Sequence, residues 1–307
     1  MRGVVAVGLV VLASCYQPHP VAGAPCSVDG TCPSGLMCID NACVVSGGTD
    51  DGPRGTDARR DGRNGTDADQ ALPWSTPTEV PGVNLSTSTE DDPSMSDDGL
   101  TIVFISDRGG NPDIYMGTRT STSQPFTVSA LTALNSTGTE SSPELSPSGT
   151  FLHFVSDRSG TNKTYSSQLS SGSFSTVTLE SDLSPQGLGD IAVSPDGLTA
   201  LYVVESGNNT LWKVTRSSVG GNFGNAVELT ALEFSSDIAA PTLTNGGAVI
   251  YLHAHNPRDL FAWSGSGMPT AVTELNTPQR DSAPFINQTV THIVYAHNND
   301  IYEATRP

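Results

Sequence analysis

Seven carboxylates recur at matching places in this chain: Glu90, Asp91, Asp92, Glu140, Asp190, Asp237 and Asp281 each stand just ahead of a predicted inner β-strand. Acids brought to one centre do two kinds of chemistry. Two carboxyl groups held roughly 5–9.5 Å apart act as acid and base or nucleophile on a glycosidic bond. A tighter ring repels itself and is relieved by a cation or a basic peptide. Glu90, Asp92, Glu140, Asp190, Asp237 and Asp281 are therefore the candidate binding rim of a central channel. The six histidines are His19, His153, His253, His255, His292 and His297; His255 aligns with Asp107 at a turn and His297 recurs there, which reads as structural replacement of an aspartate. The chain carries no G-x-S-x-G elbow, no H-E-x-x-H and no P-loop, so no catalytic residue, cofactor or metal ligand is assigned.

The elements that would position these acids come from a repeat. Pro93-Ser94-Met95-Ser96-Asp97-Asp98-Gly99 is followed by an apolar run and then by Ser106-Asp107-Arg108-Gly109-Gly110-Asn111-Pro112-Asp113-Ile114-Tyr115. The frame returns at Pro143 to Gly149 with Ser156-Asp157-Arg158, at Ala192 to Gly197 with Leu211-Trp212, at Pro241 to Gly247 with Leu260-Phe261, and at Pro284 to Asn287 with Ile301-Tyr302. Aligned at 93, 143, 192, 241 and 284, the copies lie 50, 49, 49 and 43 residues apart, a period that belongs to propeller blades of four strands. Ser-Pro-Asp-Gly closes a tight hairpin, because proline presets the first turn dihedral and glycine takes positive φ. Thr101–Ile105, Phe151–Val155, Thr199–Val204 and Val249–Leu252 are nearly continuous apolar runs, suited to strands buried between neighbouring blades. Asp107, Arg108, Asp157 and Arg158 read as turn and inter-blade staples.

An outer-strand pattern precedes every repeat, and the copy at Trp74 to Leu85 precedes the first. None follows the fifth, so this copy is expected to supply the last blade's outer strand and hide the edges of an open ring. Residues 73–307 make 235 residues, or 47 per blade. The fold class is all-β: a five-bladed β-propeller of four-stranded blades over 73–307, preceded by a small disulfide-rich segment and a disordered linker.

These repeats resemble the WD40-like PD40 repeats of the TolB family and of prolyl-oligopeptidase-type propellers. The resemblance covers roughly 88 to 302 and implies a propeller in the cell envelope. TolB has six blades and an N-terminal α/β domain, and neither is visible here.

The N-terminus speaks to compartment independently. Residues 1–14 read as a signal peptide whose end, Leu12-Ala13-Ser14-Cys15, is similar to the bacterial lipobox; Cys15 is the expected lipidation site. Tyr16 after it favours the outer membrane. A tether, 15–25, leads to a segment over 26–44 in which Cys26, Cys32, Cys38 and Cys43 form an even set. That stretch has too few apolar residues to fold around a core, so two disulfides are expected, with three pairings open. A zinc site would bring a C-x2-C knuckle, which is absent. The linker, 45–72, is rich in Asp and Gly and should be a disordered tether. Its Asp57, Asp61 and Gly62 mimic an EF-hand, but Arg59 and Ala68 stand where ligands are needed.

Charge narrows the partners. The chain carries −18, and from residue 73 onward 24 acidic side chains face 9 basic ones. Such a surface repels phosphate backbones and anionic headgroups. The expectation is a monomeric, lipid-anchored envelope protein of a Gram-negative bacterium, facing periplasm or cell surface. It is not an enzyme, does not bind nucleic acid, touches the membrane only through its lipid, and binds or scaffolds an envelope protein or peptide, cationic by preference. The rival is a five-bladed glycoside hydrolase using channel carboxylates.

Overall fold

A computed structural model describes residues 36–39, 42–45, 73–230, 238–244, 250–254 and 258–307. By contact density the chain divides into two units, 1–67 and 68–307. In the first, Leu36–Ile39 and Ala42–Val45 form an antiparallel hairpin whose register sets Cys38 opposite Cys43. Cys15, Cys26 and Cys32 lie outside the described residues.

The second unit is five antiparallel sheets. The first blade runs from its inner strand outward as Glu90–Met95, Thr101–Ser106, Asp113–Thr118 and Thr127–Ala130. The second is Glu140–Leu145, Phe151–Ser156 and Lys163–Ser170, with an outer edge split into Ser173–Phe174 and Thr178–Leu179. Leu188–Val193, Thr199–Val204, Thr210–Thr215 and Gly224–Glu228 make the third. Ala239–Leu243, Ile250–Ala254, Asp259–Trp263 and Thr270–Ala271 make the fourth. The fifth is Asp281–Ile286, His292–His297 and Asp300–Thr305, completed by Thr78–Glu79 from the start of the unit.

That last pairing closes the ring as expected. Tyr302 lies opposite Glu79 and Glu303 opposite Thr78, and flanking bonds from Ser75 N to Thr305 O and from Val80 N to Ile301 O extend the strand. The segment also grips the first blade: Phe126 N donates to Pro81 O at 2.8 Å, and Gly82, at φ 85°, lies where an added Cβ would meet the Phe126 carbonyl oxygen at 2.4 Å. Apolar residues of the second strands fill the interfaces between blades, with Ile102, Phe104, Leu152, Phe154 and Leu201 all fully buried. The hairpin turns behave as their chemistry demands, Gly99, Gly149 and Gly197 taking φ of 67°, 68° and 69°.

Register corrects the repeat alignment at one place. Met95, Leu145, Val193, Leu243 and Ile286 each face the second residue of the next strand or its equivalent, so Ile191, and not Ala192, matches Pro93, Pro143, Pro241 and Pro284. The third repeat lacks the proline that marks this position in the others.

Candidate functional site

Every inner strand carries a bulge, and the bulge separates the candidate acids into two groups. Glu90, Glu140 and Asp281 are the first residues of their strands and are fully buried. Glu90 accepts the hydroxyls of Ser88 and Ser106 and pairs with Arg108 at 3.0 Å. Arg108 in turn donates to Val83 O and lies over the Phe104 and Tyr115 rings. Glu140 repeats the arrangement with Ser136, Ser156 and Arg158, which reaches Leu134 O. Asp281 repeats it with Thr277 and with His297 at 2.7 Å. These three carboxylates are internal staples and do not rim the channel, a correction to the sequence reading. His297 is corrected too: its register opposite Asp281 matches Ser106 opposite Glu90, so it replaces the serine and not the turn aspartate. Asp107 and Asp157 staple their turns to the entry of the inner strand, accepting from Thr89 N and Thr139 N. Asp237 and His255 lie outside the described residues.

Asp92 lines the channel, and both Asp92 and Asp190 bond to neighbouring blades. The bulge residues Asp92, Ser142, Ala240 and Ala283 hold φ between 45° and 48°, each directly before a proline. A bulge takes its N–H out of the ladder, and that group needs another acceptor. Ser142 N donates to Asp92 and Ser142 Oγ to Asp190; Ala240 N donates to Asp190; Ala283 N donates to His253 Nδ1. Arg280 pairs with Asp91 to complete a circuit of inter-blade bonds from each blade to the next. Inside that circuit Pro93, Pro143, Ile191, Pro241 and Pro284 narrow the channel to about 20 Å³. This holds about one water and no sugar or side chain.

Burial, with Asp91 and Asp190 nearby, raises the Asp92 carboxyl from 3.8 to about 8. Glu144 is raised well above its usual value by burial alone. A carboxyl whose folded pKa is raised contributes most below its unfolded pKa, and that contribution is lost as pH rises through the folded value. His153, lowered from 6.5 to about 3 chiefly by burial, acts oppositely: its contribution is present above 6.5 and lost as pH falls toward 3. Above pH 6.5 the opposing slope from His153 and His253 fades within about a unit, and the raised carboxyls set the slope toward pH 8. The melting temperature should therefore fall toward pH 8, and Asp92→Asn should shrink the fall; thermal unfolding at half-unit pH steps checks both.

A second opening with ionisable walls lies elsewhere. A cleft of about 270 Å³ lies between the second and third blades on the face of the hairpin turns, lined by Glu144, Phe151, His153, Val193, Asp196, Arg216 and Val219 among others. Glu144 faces His153 across the inner pair of strands. The equivalent pairs are Ser94–Val103, Ala192–Leu201 and Phe285–Val294, with Thr242 facing Tyr251 in the fourth blade. Only the second blade sets two ionisable groups there. The matching cleft between the fifth and first blades holds about 10 Å³, because Phe285 stands in the place of Glu144 and Met95 in that of Val193. The propeller itself thus requires neither the cavity nor the acid. Sequence reasoning passed over Glu144 and His153, although comparing the five repeats position by position would have singled them out.

No protein-family model matches the chain, and no curated protein matches it. Among solved structures, TolB from Acinetobacter baumannii is similar at 18% identity and a TM-score of 0.48, over 73% of this chain and 56% of its own length. The α-L-arabinofuranosidase PaAbf62A from Podospora anserina, in complex with cellotriose, is 11% identical over 77% of this chain and 97% of its own, with a TM-score of 0.52. The catalytic domain of a Coprinopsis cinerea GH62 α-L-arabinofuranosidase is 14% identical over the same shares, with a TM-score of 0.50. The chain is a β-propeller. At these identities fold is what is shared. Among the described residues no group of three His, Cys, Asp or Glu side chains is placed to hold a metal ion.

Proposed function

We propose that this propeller is a binding or scaffolding module of the cell envelope, attached by lipid at Cys15, with the cleft between its second and third blades as the docking site for a polypeptide segment. The observation that carries the reading is the cleft: an opening of about 270 Å³ where the fifth–first equivalent holds about 10 Å³. A space that the fold can fill with a phenylalanine and instead leaves open, with polar groups in its floor, has the character of a ligand site. The lipobox-like Leu12 to Cys15 and the PD40-like repeats support the compartment. Outer-membrane attachment, the disulfide-held segment over 26–44 and the tether over 45–72 belong to the same proposal.

The rival, a glycoside hydrolase, has support from the fold shared with the arabinofuranosidases. It needs two carboxyl groups open to a sugar. Glu90, Glu140 and Asp281 are fully buried, and Asp92 and Asp190 bond to the next blade beside a channel of about 20 Å³. Crosslinking in intact envelopes followed by purification separates the two. A stoichiometric protein partner is expected; a glycan, or nothing, contradicts the binding reading.

A further inference from the structure

The chemistry of the cleft between the second and third blades narrows what enters it, given the binding-module reading on which this step rests. Four ionisable side chains line the space. Three are already accounted for. Asp196 accepts the Ser194 hydroxyl at 2.6 Å and Leu198 N at 2.9 Å. Arg216 donates Nε to Gly197 O and Nη1 to Gly221 O, and lies 4.2 Å over the Phe223 ring. His153 is buried against Phe151, whose ring centroid is 4.9 Å away, and burial with the nearby Arg216 charge keeps it neutral. Glu144 is the fourth. It forms no hydrogen bond or ion pair among the described residues, and burial raises its carboxyl well above the usual range.

A carboxyl in that condition is the strongest unused polar group in the cavity. The Arg216 charge is already engaged with two backbone carbonyls and the Phe223 ring, and an anion would approach against a chain charge of −18. A cation gains the full opposite charge once Glu144 gives up its proton. Leu145, Phe151 and Val193 line the same cavity, so an apolar stem ending in a compact positive charge suits it better than the broad, five-donor guanidinium of arginine.

We infer that this cleft receives a lysine side chain of a protein partner, the ammonium on the Glu144 carboxylate and the methylene stem against Phe151 and Val193.

Where Glu144 carries a proton, binding exchanges it for the ammonium: the O–H bond breaks, the proton goes to solvent, and the ion pair takes its place. Calorimetry on the full chain at pH 7, in two buffers of different ionisation enthalpy, tests this with a capped Ala-Lys-Ala tripeptide. The tripeptide should bind with net proton release that shrinks as the pH is raised. Its Nε-acetylated form should bind at least about tenfold more weakly, as should the parent tripeptide to Glu144→Gln. Glu144→Gln mimics the protonated acid, so its melting temperature at pH 5 should match the parent's and exclude misfolding as the cause. Equal binding of the acetylated peptide, unchanged binding to Glu144→Gln, or no binding to the parent each overturns the inference. An envelope partner captured equally by parent and Glu144→Gln also overturns it while leaving the binding-module reading intact. Absence of any partner from both contradicts that reading, and the tripeptide titration still decides this one.

Discussion

Deleting residues 74–84 should abolish cooperative unfolding of the propeller, and a synthetic peptide of residues 73–88 added in trans should restore it. The segment supplies the fifth blade's outer strand and contacts the first blade as well. Trp74, Val80 and Val83 are buried, and Arg306 lies 4.4 Å over the Trp74 ring. Asn84 exchanges two bonds with Ile301, and Val83 O is the acceptor that positions Arg108. Burial of three large apolar side chains contributes about 1.5–3 kcal/mol each. Their loss alone rivals the 5–15 kcal/mol that holds a typical domain folded. The deletion also leaves the third strand of the fifth blade with an open edge, which invites association with another chain. Urea unfolding followed by near-ultraviolet circular dichroism reads the result. A deleted chain with an unchanged transition means some other segment closes the ring.

The second large effect is expected from the buried staples. Glu90→Ala should lower stability by about 3–5 kcal/mol, the usual cost of leaving one member of a buried pair without its partner. Arg108 would keep its charge beside Phe104 and Tyr115 with only Ser106 and Val83 O as partners. For a unit of this size the melting temperature should drop by roughly 10 °C. The double change Glu90→Leu with Arg108→Met should cost less than Glu90→Ala, because it removes both charges together. If the double change costs as much as the two single changes summed, the pair is not coupled and the staple description fails.

Blade number, strand order and ring closure were legible in the residues because their signals are local. Hairpin turns, apolar second strands and the unmatched outer strand at Trp74 each state their structure within a dozen residues. The fate of the acids was less legible, because two positions along an inner strand separate burial from the channel. Glu90 at the first position is sealed inside its blade, whereas Asp92, at the bulge, reaches the next one. A bulge leaves no signature in spacing, and in the third repeat, where Ile191 replaces the proline, the alignment slipped by one residue. The cleft was hidden for a different reason. Glu144 is unremarked within its own repeat and stands out only against Ser94, Ala192, Thr242 and Phe285, its equivalents in the other four.

The most direct test of the cleft as the docking site places a photoreactive residue at Val219, which is 71% exposed on its wall, and another at Leu85, 44% exposed beside the Glu90 staple. Irradiation of intact envelopes should join the Val219 variant to a discrete protein partner and leave the Leu85 variant unjoined. Crosslinking from Leu85 with none from Val219 would contradict the account and put the binding surface at the other position.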